Sequence, residues 1–206
     1  MRYAFHFDAS ACSGCKACQA ACKDKNGLPA GLLWRRVYEV AGGGWERHNA
    51  AWLSSVYAYS ISLACNHCGL PICMEVCPST AITMRADGVV LLDSSKCLGC
   101  RYCSWACPYG APQYDAAAGY MTKCNFCADL IDIGMPPSCV AACPMRALDF
   151  GTLDQLEMRH GVDRSIHPLP EATLTDPALV LTPHRDSERA ARERACIANR
   201  EEVSQP

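Results

Sequence analysis

The chain has 206 residues and a formal net charge of −2 at pH 7, with 19 basic and 21 acidic side chains. It therefore lacks the basic excess that gathers phosphate backbones, and no nucleic-acid partner is expected. Its 17 cysteines stand out, because an intracellular chain of this size usually carries a handful. Aromatic residues make up only 8%, so the core is short of large side chains and is expected to need metal centres for stability.

The amino-terminal third of the chain predicts one short helix and one hairpin. Residues Ala17–Lys23 follow a pair of cysteines without an early helix breaker and suit a helix. Leu33–Val40 and Val56–Leu63 are β-prone and flank a run of three glycines, which predicts a hairpin. The longest apolar run is too short and too polar to cross a membrane. Met1–Ser10 lacks the pattern of a signal peptide, so any export is expected to depend on a partner.

Further elements are predicted along the rest of the chain. Ala81–Asp93 contains two short β-prone runs around Asp87-Gly88, which predicts a hairpin with a tight primed turn. Cys103–Ala106 suits a short helix, and Leu153–His160 reads as an amphipathic one. The segment Pro183–Pro206 is charged and poor in apolar residues. We expect it to be a mobile tail, or a strap that becomes ordered only on a partner.

Sixteen of the cysteines fall into four groups of four. The groups are Cys12, Cys15, Cys18 and Cys22; Cys65, Cys68, Cys73 and Cys77; Cys97, Cys100, Cys103 and Cys107; and Cys124, Cys127, Cys139 and Cys143. The first and third groups have the spacing C-x2-C-x2-C-x3-C, and a proline follows the last cysteine of the second, third and fourth groups. This is the run that binds iron–sulfur clusters in bacterial ferredoxins. Insertions displace Cys73 and Cys139, but every group keeps four thiols.

The spacing matches the shape of a cubane cluster. Three thiolates at two-residue gaps allow one loop to reach three irons, with backbone N–H groups turned toward the sulfides. The fourth cysteine points away from that cluster and completes a neighbouring one, so the groups must work in pairs. The pairing is either nested, first with fourth and second with third, or sequential. Nesting is favoured, because a single hairpin separates groups two and three, as in a two-cluster ferredoxin.

The predicted fold class is α+β, with two ferredoxin-like [4Fe-4S] modules in nested motif pairing, short hairpins, short helices and a C-terminal extension. Residues 1–63 form the first half of module 1, and residues 64–114 form module 2. Residues 115–151 form the second half of module 1, and residues 152–206 form the extension and tail. Cys196 lies in the tail outside every group and is expected to be a free thiol without a functional role.

Two other uses of the cysteines are weighed against clusters. Structural zinc sites usually pair one C-x2-C knuckle with a distant second knuckle, which fits runs of four closely spaced cysteines badly. Disulfides belong to small domains in oxidising compartments, and those domains lack this repeat. No nucleotide-binding fingerprint and no acid–base or nucleophile constellation is evident, so the chain is not expected to be an enzyme on its own.

Several segments closely resemble the iron–sulfur, or β, subunits of the membrane-bound dimethyl sulfoxide reductase family, within the molybdopterin oxidoreductases. The resemblance runs from about Phe5 to about Leu181 and leaves the tail uncovered. The segments that carry it are Asn66-His67-Cys68, Gly99-Cys100-Arg101-Tyr102-Cys103, Ala106-Cys107-Pro108-Tyr109-Gly110-Ala111-Pro112-Gln113-Tyr114, Met121-Thr122-Lys123-Cys124 and Arg146-Ala147-Leu148-Asp149-Phe150-Gly151.

The resemblance implies an electron-transfer subunit in a three-part complex of anaerobic respiration. Its partners would be a catalytic subunit with a molybdenum bis-pterin cofactor, which reduces dimethyl sulfoxide or related oxides, and an integral membrane anchor that oxidises quinol. Related conduits serve polysulfide, tetrathionate, nitrate and formate enzymes, which stay as the alternative. The subunit would be peripheral on the membrane. Co-export with a partner carrying a twin-arginine signal would place it on the periplasmic face, with the cytoplasmic face as the alternative.

The resemblance also implies four ligand sets. Set 1 is Cys12, Cys15, Cys18 and Cys143; set 2 is Cys22, Cys124, Cys127 and Cys139; set 3 is Cys65, Cys68, Cys73 and Cys107; and set 4 is Cys77, Cys97, Cys100 and Cys103. In some relatives a tryptophan replaces a third-group cysteine and one cluster has three irons. Because the third group here has all its cysteines, four [4Fe-4S] clusters are expected.

Five cationic residues lie within a few positions of these cysteines and are candidates for tuning the clusters. They are Lys16, Lys96, Arg101, Lys123 and Arg146. Positive charge near a thiolate-bound cluster raises its reduction potential. The alternative interpretation is ordinary solvated surface. His67 is interpreted as a packing residue, with a hydrogen bond to a sulfide as the alternative.

Overall fold

The computed structural model describes residues 1–203, and its elements are short. The helices are α1 (Ala17–Lys25), α2 (Ile72–Glu75), α3 (Tyr102–Ala106), α4 (Ala128–Ile131), α5 (Ser138–Ala141), α6 (Leu153–His160), α7 (Ser187–Glu193) and α8 (Arg200–Val203), with a 3-10 turn at Ala172–Leu174. The strands are β1 (Tyr3–Asp8), β2 (Arg36–Gly42), β3 (Trp45–His48), β4 (Ala51–Ser54), β5 (Tyr57–Leu63), β6 (Ile82–Met84), β7 (Val90–Leu92), β8 (Gln113–Asp115), β9 (Tyr120–Thr122), β10 (Leu148–Thr152), β11 (Leu179–Thr182) and β12 (Cys196–Ile197). This mixture confirms the α+β class.

The amino-terminal strand joins the two ends of the chain. In a three-stranded sheet, β1 lies between β10, which is antiparallel to it, and β11, which is parallel. Phe5 and Phe7 of β1 are buried in the main core, and the ring of Phe5 stacks on that of Phe126 with centroids 4.1 Å apart. The sheet therefore brings the loop of the first cysteine group to the segment that follows the fourth group.

The first predicted hairpin is confirmed as β2 and β5, which pair antiparallel from Arg36 opposite Leu63 to Gly42 opposite Tyr57. The sequence did not predict the smaller hairpin of β3 and β4 at its tip, whose residues are all exposed. Gly43 starts this insertion with φ +76°, and a Cβ there would lie 2.0 Å from the carbonyl oxygen of Ser55. Only glycine fits, because both the dihedral angle and the close backbone approach exclude a side chain.

The second predicted hairpin is confirmed as β6 and β7, but its predicted primed turn is wrong. Gly88 has φ +82°, whereas Asp87 does not lie in the left-handed region that a type I′ turn requires of both central residues. The N–H of Gly88 bonds to the carbonyl of Arg85, and the N–H of Arg85 bonds to the carbonyl of Val89. This is a three-residue loop closed by a left-handed glycine, a common hairpin connection.

The predicted helices form. Helix α6 begins and ends where predicted, because Thr152 and Gln155 form a reciprocal capping box at its amino terminus. Helix α1 runs two residues past the predicted end, to Lys25. Helix α1 packs against α5, and α2 packs against α3. None of the helices between residues 1 and 203 has the length and apolar character needed to span a bilayer.

The expectation of a mobile tail is wrong for the described part of the segment, and its last three residues lie outside the described range. Strand β12 pairs with β2, placing Cys196 opposite Ala41. The amide of Asn199 accepts a bond from the N–H of Glu39 at 2.9 Å and donates one to the carbonyl of Val37 at 2.8 Å. Ala190 and Val203 are buried. The tail is thus a strap ordered on its own chain. Backbone pairing with β2 holds it in place, although its sequence is poor in apolar residues.

Candidate metal centre

The four cysteine groups share one backbone feature. The residue two positions after the first cysteine of each group has a left-handed φ, and these residues are Gly14 (70°), His67 (42°), Gly99 (67°) and Phe126 (61°). The N–H groups of Gly14, Gly99 and Phe126 donate to the sulfur of that first cysteine at 3.5, 3.5 and 3.4 Å. Left-handed residues turn successive N–H groups to one side and make an anion-binding concavity. The loops thus present N–H donors to a negatively charged sulfur centre.

The Cys-Pro dipeptides form a second repeated feature. The third residue after the cysteine has a left-handed φ in each case, at Thr80 (52°), Gly110 (58°) and Arg146 (54°). Its N–H bonds to the carbonyl of the cysteine, at 3.3, 3.0 and 3.3 Å respectively. These turns redirect the chain immediately after the fourth cysteine of the group. The first group has no proline after Cys22, and there the helix continues to Lys25.

The set 1 thiols lie near one another. Cys12, Cys15, Cys18 and Cys143 line one cavity together with Lys16, Ser62 and Pro144. Burial raises the pKa of the Cys12 thiol, and the nearby Cys18, Cys143 and Cys15 raise it further. Cys143 comes from the fourth group, so the structure brings the two ends of the repeat together.

Set 2 lies next to set 1 and is the most deeply buried. All four of its thiols, those of Cys22, Cys124, Cys127 and Cys139, are buried. Burial raises the pKa of Cys22 to about 12, and the nearby Cys139 and Cys127 contribute to the shift. Cys139 also raises the pKa of Cys18 in set 1, although burial of Cys18 is the larger cause.

Sets 3 and 4 show the same crossed arrangement. Burial raises the pKa of Cys73 to about 12, helped by the neighbouring Cys65, Cys107 and Cys68. Burial raises the pKa of Cys103 to about 11, and here the neighbours are Cys97, Cys100 and Cys77. Each set therefore contains one thiol from the partner group. The apolar cluster around Cys103 also includes Cys73, so sets 3 and 4 adjoin.

A contact also links set 2 to set 3. Cys124 is buried, and burial raises its pKa most, followed by Cys22 and then by Cys65 of set 3. The ring of Phe126, in the loop of the fourth group, meets His67, in the loop of the second, edge-on with centroids 5.1 Å apart. The sets therefore follow one another in the order 1, 2, 3, 4.

Lys123 is the predicted tuning residue that the structure places in contact with a thiol of a predicted ligand set. Its side chain is buried between sets 2 and 3, and the residue is 3% exposed. The ammonium group donates to the sulfur of Cys65 at 3.8 Å, to the carbonyl of Cys124 at 3.1 Å and to the carbonyl of Val90. The ammonium group of Lys123 thus links set 2 to set 3.

The other four tuning candidates bind elsewhere. The Nζ atom of Lys16 pairs with Glu202 at 2.5 Å and Glu39 at 3.2 Å, and that of Lys96 pairs with Asp93 at 3.4 Å. The guanidinium carbon of Arg101 lies 3.9 Å from the centroid of the Tyr114 ring. The remaining candidate, Arg146, donates to the backbone carbonyls of Ala141 and Cys143.

Sequence reasoning missed Arg35, a second buried cation. It precedes β2, is 2% exposed and lies beside thiols of sets 1 and 2. Two of its nitrogens, Nε and Nη2, make no hydrogen bond to any of residues 1–203. The sequence around Arg35 gave no signal of burial, since arginine is rarely fully buried unless it is paired.

His67 adds a further buried donor. Its Nδ1 accepts a bond from the N–H of Val90 at 3.0 Å, which leaves the proton of the neutral ring on Nε2. Burial lowers the pKa of His67 well below the usual range, and the charge of Lys123 lowers it further. Nε2 has no hydrogen-bond partner within residues 1–203. Buried donors of this kind, beside sixteen thiols in four sets, fit acceptor-rich sulfide clusters.

The thiol geometry bears on the competing interpretations. All 17 cysteines lie within residues 1–203, and each is a free thiol, so the disulfide interpretation is wrong for this structure. In the same range no three histidine, cysteine, aspartate or glutamate side chains converge closely enough to hold a single metal ion. A cubane differs from zinc in this respect, because its four thiolates bind four different irons and stay further apart.

Comparison with known proteins agrees with this chemistry. Residues 56–153 match the 4Fe-4S dicluster domain family. The motifs and this match define the class: the chain is a ferredoxin-type protein that carries [4Fe-4S] clusters.

Full-length relatives identify the family. The chain is 47% identical over 202 residues to the B subunit of the anaerobic dimethyl sulfoxide reductase of Escherichia coli (strain K12), covering 98% of each protein. It belongs to this family of electron-transfer iron–sulfur subunits and is not a catalytic subunit. The thiosulfate reductase electron transfer subunit of Salmonella typhi is 36% identical over 162 residues, 78% of this chain and 81% of the relative. The formate dehydrogenase iron–sulfur subunit of Wolinella succinogenes is 36% identical over 181 residues, 76% and 84% of the two proteins.

One expectation about the resemblance needs correction. The sequence pattern ended near Leu181 and left the tail uncovered, whereas the alignment to the Escherichia coli subunit covers 98% of this chain. The tail lacks cysteines apart from Cys196 and therefore carries no motif to compare by eye.

Proposed function

We propose that this chain is a four-cluster electron conduit between two partner subunits. It would receive electrons from an integral membrane anchor that oxidises quinol and deliver them to a molybdenum bis-pterin subunit that reduces dimethyl sulfoxide or related S- and N-oxides. The names of full-length relatives, which are 44–47% identical to this chain, support this substrate class. When bound, each [4Fe-4S] cluster supplies the redox chemistry, and the protein supplies binding, orientation and electrostatics.

The ligands in this proposal are the four crossed sets. Set 1 is Cys12, Cys15, Cys18 and Cys143; set 2 is Cys22, Cys124, Cys127 and Cys139; set 3 is Cys65, Cys68, Cys73 and Cys107; and set 4 is Cys77, Cys97, Cys100 and Cys103. The neighbours of Cys12, Cys22, Cys73 and Cys103 support this grouping. The packing of α1 on α5 and of α2 on α3 supports nested modules, because each pair of helices carries ligands from two groups.

The observation that carries the proposal is the exposure of the thiols along the series. Among the sixteen group cysteines, Cys15 of set 1 and Cys100 of set 4 are exposed, whereas all of set 2 is buried. A conduit between two partners needs accessible sites at its two ends and protected sites between them. The order of the sets and the exposure of the end sets both meet this requirement.

The surface around Cys100 supports a direction for electron flow. Leu98 is 71% exposed and Trp105 is 74% exposed, and Tyr102 between them is also exposed. Exposed apolar patches mark interaction sites. We therefore assign set 4 to the membrane anchor and set 1 to the catalytic subunit.

Crossed ligation is tested by the substitution Cys22→Ser. Cys22 follows the set 1 cysteines in sequence but belongs to set 2, so the cluster of set 2 should be altered while that of set 1 is retained. Electron paramagnetic resonance of the reduced protein and iron analysis measure the outcome. Cys18→Ser is the matched control and should alter set 1. If Cys22→Ser damages only the set 1 cluster, the nested assignment is wrong.

The direction is tested by Cys100→Ser in the intact complex. Quinol should then reduce the other clusters slowly or not at all, whereas their reoxidation by the terminal substrate should be retained. Cys15→Ser is the control and should give the opposite pattern. Normal quinol reduction of the other three clusters, in a Cys100→Ser complex whose own set 4 cluster is shown to be lost or altered, would refute the assignment of the ends.

A second candidate is the same role in another molybdenum oxidoreductase. The similarity to thiosulfate reductase and formate dehydrogenase subunits favours it as the alternative. Identification of the catalytic subunit that co-purifies with the chain decides between the two.

The location of the chain follows from the same proposed complex. We propose a peripheral position on the periplasmic face of the membrane, reached by co-export with a partner that carries a twin-arginine signal. Protease accessibility in spheroplasts distinguishes this face from the cytoplasmic one.

A further inference from the structure

Arg35 lies between the thiols of sets 1 and 2. No carboxylate of residues 1–203 is within ion-pair distance of it, and its guanidinium carbon lies 4.8 Å from the centroid of the Phe5 ring. A buried charge is costly unless it is paired and hydrogen-bonded. The nearby groups that can carry negative charge are the thiols of Cys139, Cys18, Cys124 and Cys22, which raise the pKa of Arg35 against the opposing effect of burial.

Arg35 acts on predicted ligands of both sets. Its Nη1 donates to the hydroxyl of Ser62 at 3.2 Å, and that hydroxyl lies 3.3 Å from the sulfur of Cys18 in set 1. Burial raises the pKa of the Cys22 thiol in set 2, and the positive charge of Arg35 opposes that rise. Arg35 therefore reaches a predicted ligand of set 1 through a serine and acts on a predicted ligand of set 2 through its charge.

The two remaining guanidinium donors point to a use for the charge. Nε and Nη2 are buried and unpartnered among the described residues, although unpaired buried donors are rare in folded proteins. Cluster sulfides and thiolate sulfurs are hydrogen-bond acceptors, and both hydrogen bonds and positive charge raise the reduction potential of a cluster.

We propose that Arg35 is a positioning residue that raises the reduction potentials of the clusters of sets 1 and 2 together. This inference rests on the proposed function, because it requires clusters in those two sets. Because one cation raises both reduction potentials, the difference in potential between the two neighbouring clusters stays small. Arg35 lies outside every cysteine group, and we thus assign to it a role in electron transfer between sets 1 and 2.

The test compares Arg35→Gln, Arg35→Lys and Ser62→Ala in the full chain within its complex, by redox titration followed with electron paramagnetic resonance. Arg35→Gln should lower the midpoint potentials of sets 1 and 2 by at least about 59 mV. This shift corresponds to a tenfold change in the equilibrium constant for one-electron reduction. Sets 3 and 4 should not change. Arg35→Lys keeps the charge and should restore most of the shift, and Ser62→Ala should affect set 1 more than set 2.

Arg36→Gln is the matched control, because Arg36 is also buried but donates to the carbonyls of Tyr109 and Gly110, next to set 3. It should leave sets 1 and 2 unchanged. Wild-type potentials for sets 1 and 2 in Arg35→Gln would overturn the inference, as would equal shifts in Arg35→Gln and Arg35→Lys. If Arg35→Gln loses iron, Arg35→Lys decides alone: retained iron with near wild-type potentials supports the role of charge, and loss of iron refutes it. Absence of cluster signals from the wild type would instead refute the proposed function.

Discussion

Replacing Lys123 by methionine should lower the reduction potentials of the clusters of sets 2 and 3. Methionine keeps most of the volume of the buried stem and removes the charge. In the wild type, the ammonium group lies 3.8 Å from the sulfur of Cys65 and 3.1 Å from the carbonyl of Cys124. Reduction adds one negative charge to a cluster, and a nearby cation stabilises that reduced form.

The distance sets the magnitude. Two unit charges 3.8 Å apart interact by about 4 kcal/mol at an effective dielectric constant of roughly 20. That free energy corresponds to roughly 180 mV for one electron and is an upper bound. The added electron is shared by a whole cluster, whose irons lie beyond the sulfur, so we expect a fall of roughly 50–100 mV in set 3. Set 2 should move in the same direction by less, because the lysine meets Cys124 through its carbonyl.

Redox titration with electron paramagnetic resonance measures both potentials. Lys123→Arg should stay near the wild type if it is accommodated, and iron content reports whether each variant retains its clusters. Lys96→Met is the matched control, because the Lys96 side chain is 60% exposed and pairs with Asp93. A change of less than about 20 mV is expected there, as exposed ion pairs contribute little. If Lys123→Met retains its iron and its potentials match the wild type, the electrostatic reasoning is refuted.

Three smaller predictions follow from other parts of the molecule. Lys16→Met should shift the potential of set 1 by less than about 20 mV in the same titration, because two carboxylates already offset its charge. Cys196→Ser should leave iron content and electron transfer unchanged, since Cys196 is exposed on β12 and lies outside the sets; loss of iron would show that it is a ligand. Burial, followed by the neighbouring His160, lowers the pKa of His6 from 6.5 to about 4. The contribution of neutral His6 to the free energy of unfolding is therefore fully present above pH 6.5 and is lost as the pH falls toward 4. This loss amounts to about 2 kcal/mol between pH 7 and pH 5, and a thermal scan of cluster absorbance should show it in the wild type but not in His6→Gln.

The cysteine pattern predicted the cofactor, [4Fe-4S] clusters, which the family match and the relatives confirm, and the four ligand sets stay a prediction. Three thiols of each predicted set are local, because spacing within a loop decides which thiols can reach one cluster, whereas the fourth comes from the paired group. The hairpin of β2 and β5 and the helix α6 were also predictable, the first from β-prone runs and the second from the Thr152–Gln155 capping box. Each of these signals lies within a few residues of the element it specifies.

Features that depend on contacts between residues distant in the chain could not be predicted from the sequence. The strap of the tail is ordered by pairing of β12 with β2, about 155 residues away in the chain, and by the two bonds of Asn199. Its charged composition predicted disorder because composition does not register backbone pairing. Arg35 escaped for a similar reason. Its charge looks like that of any surface arginine until the fold places four thiols around it.

The contrast among the cations shows why proximity in sequence is a poor guide to tuning. Lys16, Lys96 and Lys123 are each adjacent to a group cysteine, but carboxylates pair with Lys16 and Lys96. Arg35 and Lys123 are buried, and ion-pair partners are absent for them within residues 1–203. In a low-dielectric interior an unpaired cation acts on any nearby negative charge more strongly than a paired surface cation does. Arg35 and Lys123 therefore lie where charge has most effect on the predicted clusters, Arg35 between sets 1 and 2 and Lys123 between sets 2 and 3.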